Sequence, residues 1–210
     1  MTGGYTGKYC IIDLGSQAVE TVEPGDAFYR KYLSGYGLGA AVILERQKPG
    51  LDPLSPESYL GFCSGLLTGT KAFFSGRFMV VGKSPLTGGW GDANAGGFLS
   101  RELKRSGYDA IFFTGKSVSP IWLDITEQGI TFHDATNLWG KDIIETERLI
   151  KDKIEDKWTQ IASIGHIQRL PINMLLVFIV FVVLVEFPWV IFVCCLDCKL
   201  FSAFCPVGEI

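Results

Sequence analysis

Residues 65–97 read GLLTGTKAFFSGRFMVVGKSPLTGGWGDANAGG and hold nine of the chain's 25 glycines. One arginine, Arg77, stands in the apolar run SGRFMVV (75–81), and one asparagine, Asn94, stands among small residues in ANAGG (93–97). Ordering glycine costs backbone entropy, so a stretch this rich in it marks sharp turns or a main chain against which something presses. An arginine set between such turns suits a phosphate or a carboxylate, because its planar fork donates hydrogen bonds in pairs. The stretch reads as one wall of a site for a large, flat, phosphorylated cofactor.

The flanking sequence reads as mixed helix and strand. Apolar, β-rich runs predict strands at 8–14 and 18–22, paired as a hairpin, then at 59–64, 78–82, 109–114 and 159–164. The run 121–126 pairs across Glu127-Gln128-Gly129 with 130–133 as a second hairpin. Helices are predicted over 27–33 with Asp26 as its cap, over 40–47, over 97–106 and over 142–155. Strands grouped in hairpins with helices between them give an α+β fold, β-rich in this N-terminal part, rather than a regular βαβ alternation. Gly35-Tyr36-Gly37-Leu38-Gly39 has the look of a dinucleotide loop, but it follows a helix and lacks the required spacing, so it reads as a glycine-rich helix-to-helix corner. Gly65–Lys71 has the wrong order of glycine, lysine and hydroxyl for a phosphate-binding loop.

The 210 residues carry a net charge of −3, which leaves no basic footprint for nucleic acid. Cys10 and Cys63 lie alone in apolar runs and read as buried free thiols. The N-terminus is polar and glycine-rich, without the pattern of a secretory leader, which favours a cytoplasmic, reducing location. His133 and His166 are the only histidines, and neither neighbours a serine or cysteine in a nucleophile setting. No carboxylate pair has a spacing that calls for acid–base work, so no catalytic residue and no metal ligand is assigned. Any chemistry would be brought by a cofactor.

Asp52-Pro-Leu-Ser-Pro-Glu57, Gly65-x-Leu-Thr-Gly-Thr70, Gly-Arg77-Phe, Lys83-Ser-Pro-Leu-Thr-Gly88, Ala-Asn94-x-Gly96-Gly97, Gly107-Tyr-Asp-Ala-Ile111, Leu138-Trp-Gly-Lys141 and Ile161-Ala-Ser-Ile-Gly165 follow one another in order. This series resembles the N-terminal domain of the aldehyde ferredoxin oxidoreductase family, over residues 1–165. The resemblance implies a β-rich base beneath two pterins whose dithiolene sulfurs hold one tungsten (tungstopterin). It also implies oxidation of an aldehyde and water to a carboxylate, with electrons leaving through a [4Fe-4S] cluster to ferredoxin. Arg77 matches the family's cofactor-contacting arginine, Asn94 its asparagine at the pterin, and Gly96 a glycine that binds through its backbone. Gly97 is assigned with them, and Gly76 and Ser84 stand beside them. A homodimer is a further family expectation. The cluster ligands and the substrate-facing residues belong to segments that do not match here, so this chain alone is expected not to turn over. Neither the aldehyde nor the choice of tungsten over molybdenum is fixed by these residues.

After Gly165 the likeness stops, and residues 166–210 form a hydrophobic, cysteine-containing tail. Residues 174–196 are interrupted only by Glu186 and Pro188 and are long enough to span a bilayer. Three readings stay open: a membrane segment that would make the chain membrane-associated, an out-of-frame or truncated end, and a segment packed on the domain. The second is favoured, because the break falls inside a matching block. Cys195-x-x-Cys198, with Cys194 and Cys205, has no second pair and no histidine, so it is not assigned a metal.

Overall fold

A computed structural model describes residues 4–73, 75–155 and 160–163, together with the backbone of two strands at 179–183 and 189–194. In chain order the elements are β1 (Tyr9–Asp13), β2 (Ala18–Val22), α1 (Asp26–Tyr32), α2 (Tyr36–Arg46), β3 (Leu60–Ser64), β4 (Arg77–Lys83), β5 (Trp90–Gly96), α3 (Leu99–Arg105) and β6 (Ala110–Thr114). They continue as β7 (Ile121–Thr126), β8 (Gly129–Asp134), α4 (Ile143–Ile154), β9 (Ile161–Ala162), β10 (Ile179–Val183) and β11 (Trp189–Cys194). Two sheets result, one in the order β2-β1-β6-β3-β4-β5 and the other β8-β7-β11-β10-β9. In the first sheet β1 and β6 run parallel, and its other neighbours are antiparallel. The α+β class expected from the sequence is the class found.

Alternation along the strands decides what each face covers. Cys10, Ile12, Leu60, Phe62, Val80, Ile111 and Phe113 point from the first sheet onto Ile121, Leu123 and Ile125 of the second, and α3 adds Leu103 to the same cluster. Tyr9, Ile11, Cys63, Val81 and Phe112 point the other way, beneath Tyr29 of α1 and Leu38, Val42 and Ile43 of α2. A sheet covered on both faces carries unbroken apolar runs, which is why Tyr9–Ile12 and Ala110–Phe113 read as continuous hydrophobic strands. On the outer face of the second sheet, Trp122 packs with Ala135 and with Ile150 of α4. That helix begins where expected: the Asp142 side chain accepts from the Glu145 backbone N–H at 2.7 Å.

Two predicted elements differ and one strand was missed. Helix α2 begins at Tyr36, not Ala40, so the glycine corner is its first turn. A Cβ on Gly39 would lie 2.7 Å from Val81 Cγ2 and 3.2 Å from Cys63 Sγ, so the glycine lets the helix sit directly on the sheet. Gly25, with φ of +86°, precedes α1, and Asp26 is the first helical residue rather than the cap. Strand β5 was not predicted at all, because Trp90–Gly96 (WGDANAG) lacks the β-branched residues that usually signal a strand.

Within 174–196, the run for which a bilayer span was one of three readings, β10 and β11 pair antiparallel, with β11 alongside β7 and β10 alongside β9. A run dense in Val and Ile and broken by Pro188 suits extended backbone better than a continuous helix. No helix among the described residues is long and apolar enough to cross a membrane. Cys195, Cys198 and Cys205 lie outside the described residues.

Candidate functional site

Strand β4 leaves the loop 65–76 at Arg77 and pairs with β5 so that Arg77 faces Gly96 and Met79 faces Asn94. Arg77, Met79 and Val81 share the helix-covered face of the first sheet, and Asn94 shares it through its pairing with Met79. Arg77 and Asn94 are therefore diagonal neighbours on one face, close enough for long side chains to meet. They do meet: Arg77 Nε donates to Asn94 Oδ1 at 3.0 Å, and Nη2 donates to the same oxygen. Asn94 Nδ2 in turn donates to the Tyr36 hydroxyl oxygen at 3.0 Å, from the first residue of α2. Helix α2 covers β3 and the middle of β4 but stops short of this corner, so Arg77 and Asn94 stay exposed.

Beneath them the backbone is fixed by the loop. Gly65 N–H donates to the Arg77 carbonyl at 3.0 Å, and the fully buried Thr68 hydroxyl lies 3.1 Å from that carbonyl and 2.5 Å from that of Ser75. Gly97 N–H donates to the Gly76 carbonyl at 3.1 Å. Gly97 has a φ of +119°, a conformation that other residues rarely adopt. Gly96 and Gly97 thus form a bare, exposed strip of main chain beside the guanidinium. The structure brings Arg77, Asn94, Gly96 and Gly97 into one patch, with Gly76 at its border. Ser84 is elsewhere. It closes the turn at the far end of β4, its N–H donating to Gly89 O at 2.8 Å and its carbonyl accepting from Gly88 N–H at 2.8 Å. Seven residue steps along the strand separate it from Arg77, about 23 Å.

Tyr36 was not picked out by sequence. The only signal for it was the glycine motif around it, whose spacing pointed to the wrong ligand class. A second feature that sequence did not reveal lies under the loop. Lys104 Nζ donates to Leu66 O at 2.7 Å and also to Gly4 O, and it stands 3.7 Å from Asp109 Oδ1, both side chains fully buried. Burial draws the Lys104 ammonium below its usual pKa, with Asp109 opposing that shift.

The other titratable candidates are away from the patch. His133 stacks on Trp122 at 4.0 Å in the second sheet, and burial lowers its pKa. Burial raises the thiols of Cys10 and Cys63, leaving them inert. The patch offers hydrogen-bond donors, amide edges and exposed backbone, without a general acid or base among them.

Residues 9–167 match the family model described as the aldehyde ferredoxin oxidoreductase N-terminal domain. The chain is 42% identical over 162 residues to a tungsten-containing aldehyde ferredoxin oxidoreductase of Pyrococcus horikoshii, a match covering 77% of this chain and 27% of that protein. It is 32% identical over 157 residues to the WOR-like subunit of an aliphatic sulfonate oxidoreductase of Pyrococcus furiosus, covering 73% and 25% of the two chains. Among solved structures, the active-site complex BamBC of benzoyl coenzyme A reductase, bound to 1,5-dienoyl-CoA, superposes with a TM-score of 0.75 at 37% identity. That match covers 79% of this chain and 25% of the other. This chain therefore spans about a quarter of the length of the relatives it matches.

Proposed function

Because the chain belongs to the aldehyde ferredoxin oxidoreductase family through its N-terminal domain, we propose that the β4–β5 face is the pterin-holding wall of a tungsten enzyme. The observation that carries this reading is the hydrogen-bonded Arg77–Asn94 pair lying exposed beside the glycine strip 96–97. A guanidinium has five N–H donors, so Arg77 keeps donors for a pterin phosphate after bonding Asn94. Asn94 Nδ2 keeps one hydrogen for a heterocycle edge. Gly96 and Gly97 let a flat ring approach the main chain, where no side chain intervenes. The proposed pterin-holding unit is residues 1–165, whose second sheet is extended by β10 and β11 from the stretch 166–210.

When bound, a tungsten pterin would supply two-electron oxidation of an aldehyde with water to a carboxylate, the electrons passing through a [4Fe-4S] cluster to ferredoxin. Among the described residues no group of three or more His, Cys, Asp or Glu could hold a metal ion, so the chain's own part is to seat and orient the cofactor. The cluster ligands, the ferredoxin contact and the residues facing the substrate are proposed to lie in the portion of the relatives that this chain does not match. Their names support that division. One acts on aldehydes, one on aliphatic sulfonates and one on a benzoyl thioester, and a wall common to all three suits what they share rather than what separates them.

The test is a fluorescence titration of the 210-residue chain with the stable, fluorescent oxidised form of molybdopterin. Saturable quenching is expected for the wild type, with Arg77→Ala weakening it at least about tenfold, as loss of a charge-assisted contact requires. Equal affinity for the two proteins, both folded by circular dichroism, would remove Arg77 from the site.

A further inference from the structure

The motif Gly35-Tyr36-Gly37-Leu38-Gly39 is neither a dinucleotide loop nor a simple corner, and its geometry has a different use. A Cβ on Gly35 would lie 2.8 Å from Met79 Sδ, and one on Gly39 would lie 2.7 Å from Val81 Cγ2. Without those atoms the first turn of α2 presses onto β4 at two points on the face that carries Arg77. Met79 is the cross-strand partner of Asn94, so this close approach delivers Tyr36 to Asn94.

Donor and acceptor chemistry then fixes every role. An arginine can only donate, so Asn94 must turn Oδ1 toward Arg77 and Nδ2 away from it. The Tyr36 oxygen accepts from that nitrogen at 3.0 Å. A phenol that accepts in this way still has its own proton to give, and no acceptor for that proton is found among the described residues. We propose that Tyr36 is a third side chain of the pterin site. It orients the Asn94 amide, and it donates its O–H to an acceptor atom of the ligand, on the phosphate or on the ring. This rests on the pterin reading of the β4–β5 face.

The experiment compares wild type, Tyr36→Phe, Asn94→Ala and the double variant, each as the full chain. Each is titrated with fluorescent oxidised molybdopterin and with the same compound stripped of its phosphate. Tyr36→Phe keeps the ring, and its urea midpoint should match the wild type. Its affinity should fall about five- to tenfold, the worth of one hydrogen bond at a ligand. The double variant should lose less than the product of the two single losses, because the two side chains act through one contact. A loss confined to the phosphorylated form places the acceptor on the phosphate, and an equal loss with both forms places it on the ring. Either outcome supports the proposal. The Asn94 side-chain NH2 signals in a 15N-correlated spectrum should also move in Tyr36→Phe without ligand. Wild-type binding matched by Tyr36→Phe, with those signals unmoved, overturns the role of Tyr36 and leaves the pterin reading intact. Absence of binding by the wild type itself overturns the pterin reading.

Discussion

Removing the Asp109 carboxylate should be among the costliest single changes in this fold. Asp109 accepts from the backbone N–H of Thr6 at 3.0 Å to each oxygen, from Gly7 N–H at 2.9 Å and from the Thr6 hydroxyl at 2.9 Å. It is also the counter-charge 3.7 Å from the fully buried Lys104 ammonium. Asp109→Ala leaves an ammonium without its anion in a dry site and three donors of the N-terminal segment unpaired, a loss of about 3–5 kcal/mol. Against a total stability of about 5–15 kcal/mol this is a large fraction. Lys104→Met removes the charge and the ties to Gly4 O and Leu66 O, yet leaves Asp109 its bonds to Thr6 and Gly7, so about 2–3 kcal/mol is expected. The double variant buries no ion, and its cost should fall short of the sum by about 1–3 kcal/mol. Urea unfolding of the four proteins, with unchanged slopes, reads all three quantities. Single costs that simply add, or an Asp109→Ala protein within about 1 kcal/mol of wild type, would refute the coupled buried pair. The pair also bears on the site: Leu66 follows Gly65, whose N–H holds the Arg77 carbonyl.

Gly39→Ala should destabilise the chain by about 1–3 kcal/mol in the same assay, since its Cβ would sit 2.7 Å from Val81 Cγ2 and overpacking outweighs the gain of about 1 kcal/mol in helix propensity. Asp124 is 5% exposed, its Oδ1 has no hydrogen-bond partner among the described residues, and burial raises its pKa from 3.8 to about 7. The folded state therefore binds a proton that the unfolded state has released between those two values, so wild-type stability falls as pH rises from about 4 to 7. Asp124→Asn should be near neutral at pH 4 and gain up to about 4 kcal/mol over wild type by pH 8, measured by urea midpoints across that range; a pH-independent difference would count against a protonated Asp124.

Most of the fold was legible because burial writes itself into the sequence. The runs Tyr9–Ile12 and Ala110–Phe113 are apolar on both faces, and the helical spacing of Ile143, Ile150 and Ile154 marks α4. What escaped were elements whose residues are chosen by something other than burial. Strand β5 is built of Gly, Ala, Asp and Asn and is held by pairing to β4 alone, so neither periodicity nor propensity marks it. The start of α2 was misread because glycine breaks helices on average, whereas here it buys a close approach to Val81 and Cys63. Arg77 and Asn94 were visible as polar residues in odd company, but their meeting depends on an antiparallel register that only the folded sheet supplies. Lys104 and Asp109 stand five residues apart, at the end of a helix and before a strand, and only the fold buries them side by side.

The chain's glycines fall into different classes once their surroundings are known, and the difference supports a ligand. Gly61 and Gly39 are required by packing, since a Cβ on Gly61 would lie 2.4 Å from Phe112 Cε1 and one on Gly39 would strike Val81. Gly97 is required by its φ of +119°. Gly76 and Gly96 answer to neither demand. Among the described residues, a Cβ on Gly76 would meet only Gly97 O at 3.5 Å and one on Gly96 only Gly76 O at 3.7 Å, both ordinary contacts, and neither residue has a positive φ. A side chain at either place would fit this fold and would stiffen it by roughly 0.5–1 kcal/mol relative to glycine. Leaving them bare costs stability and returns nothing to packing against the described residues. In the proposed reading the gain comes from outside the fold, from a surface that lies against the main chain beside Arg77 and Asn94. A flat ring needs that bare backbone, and a phosphate at its edge needs the guanidinium.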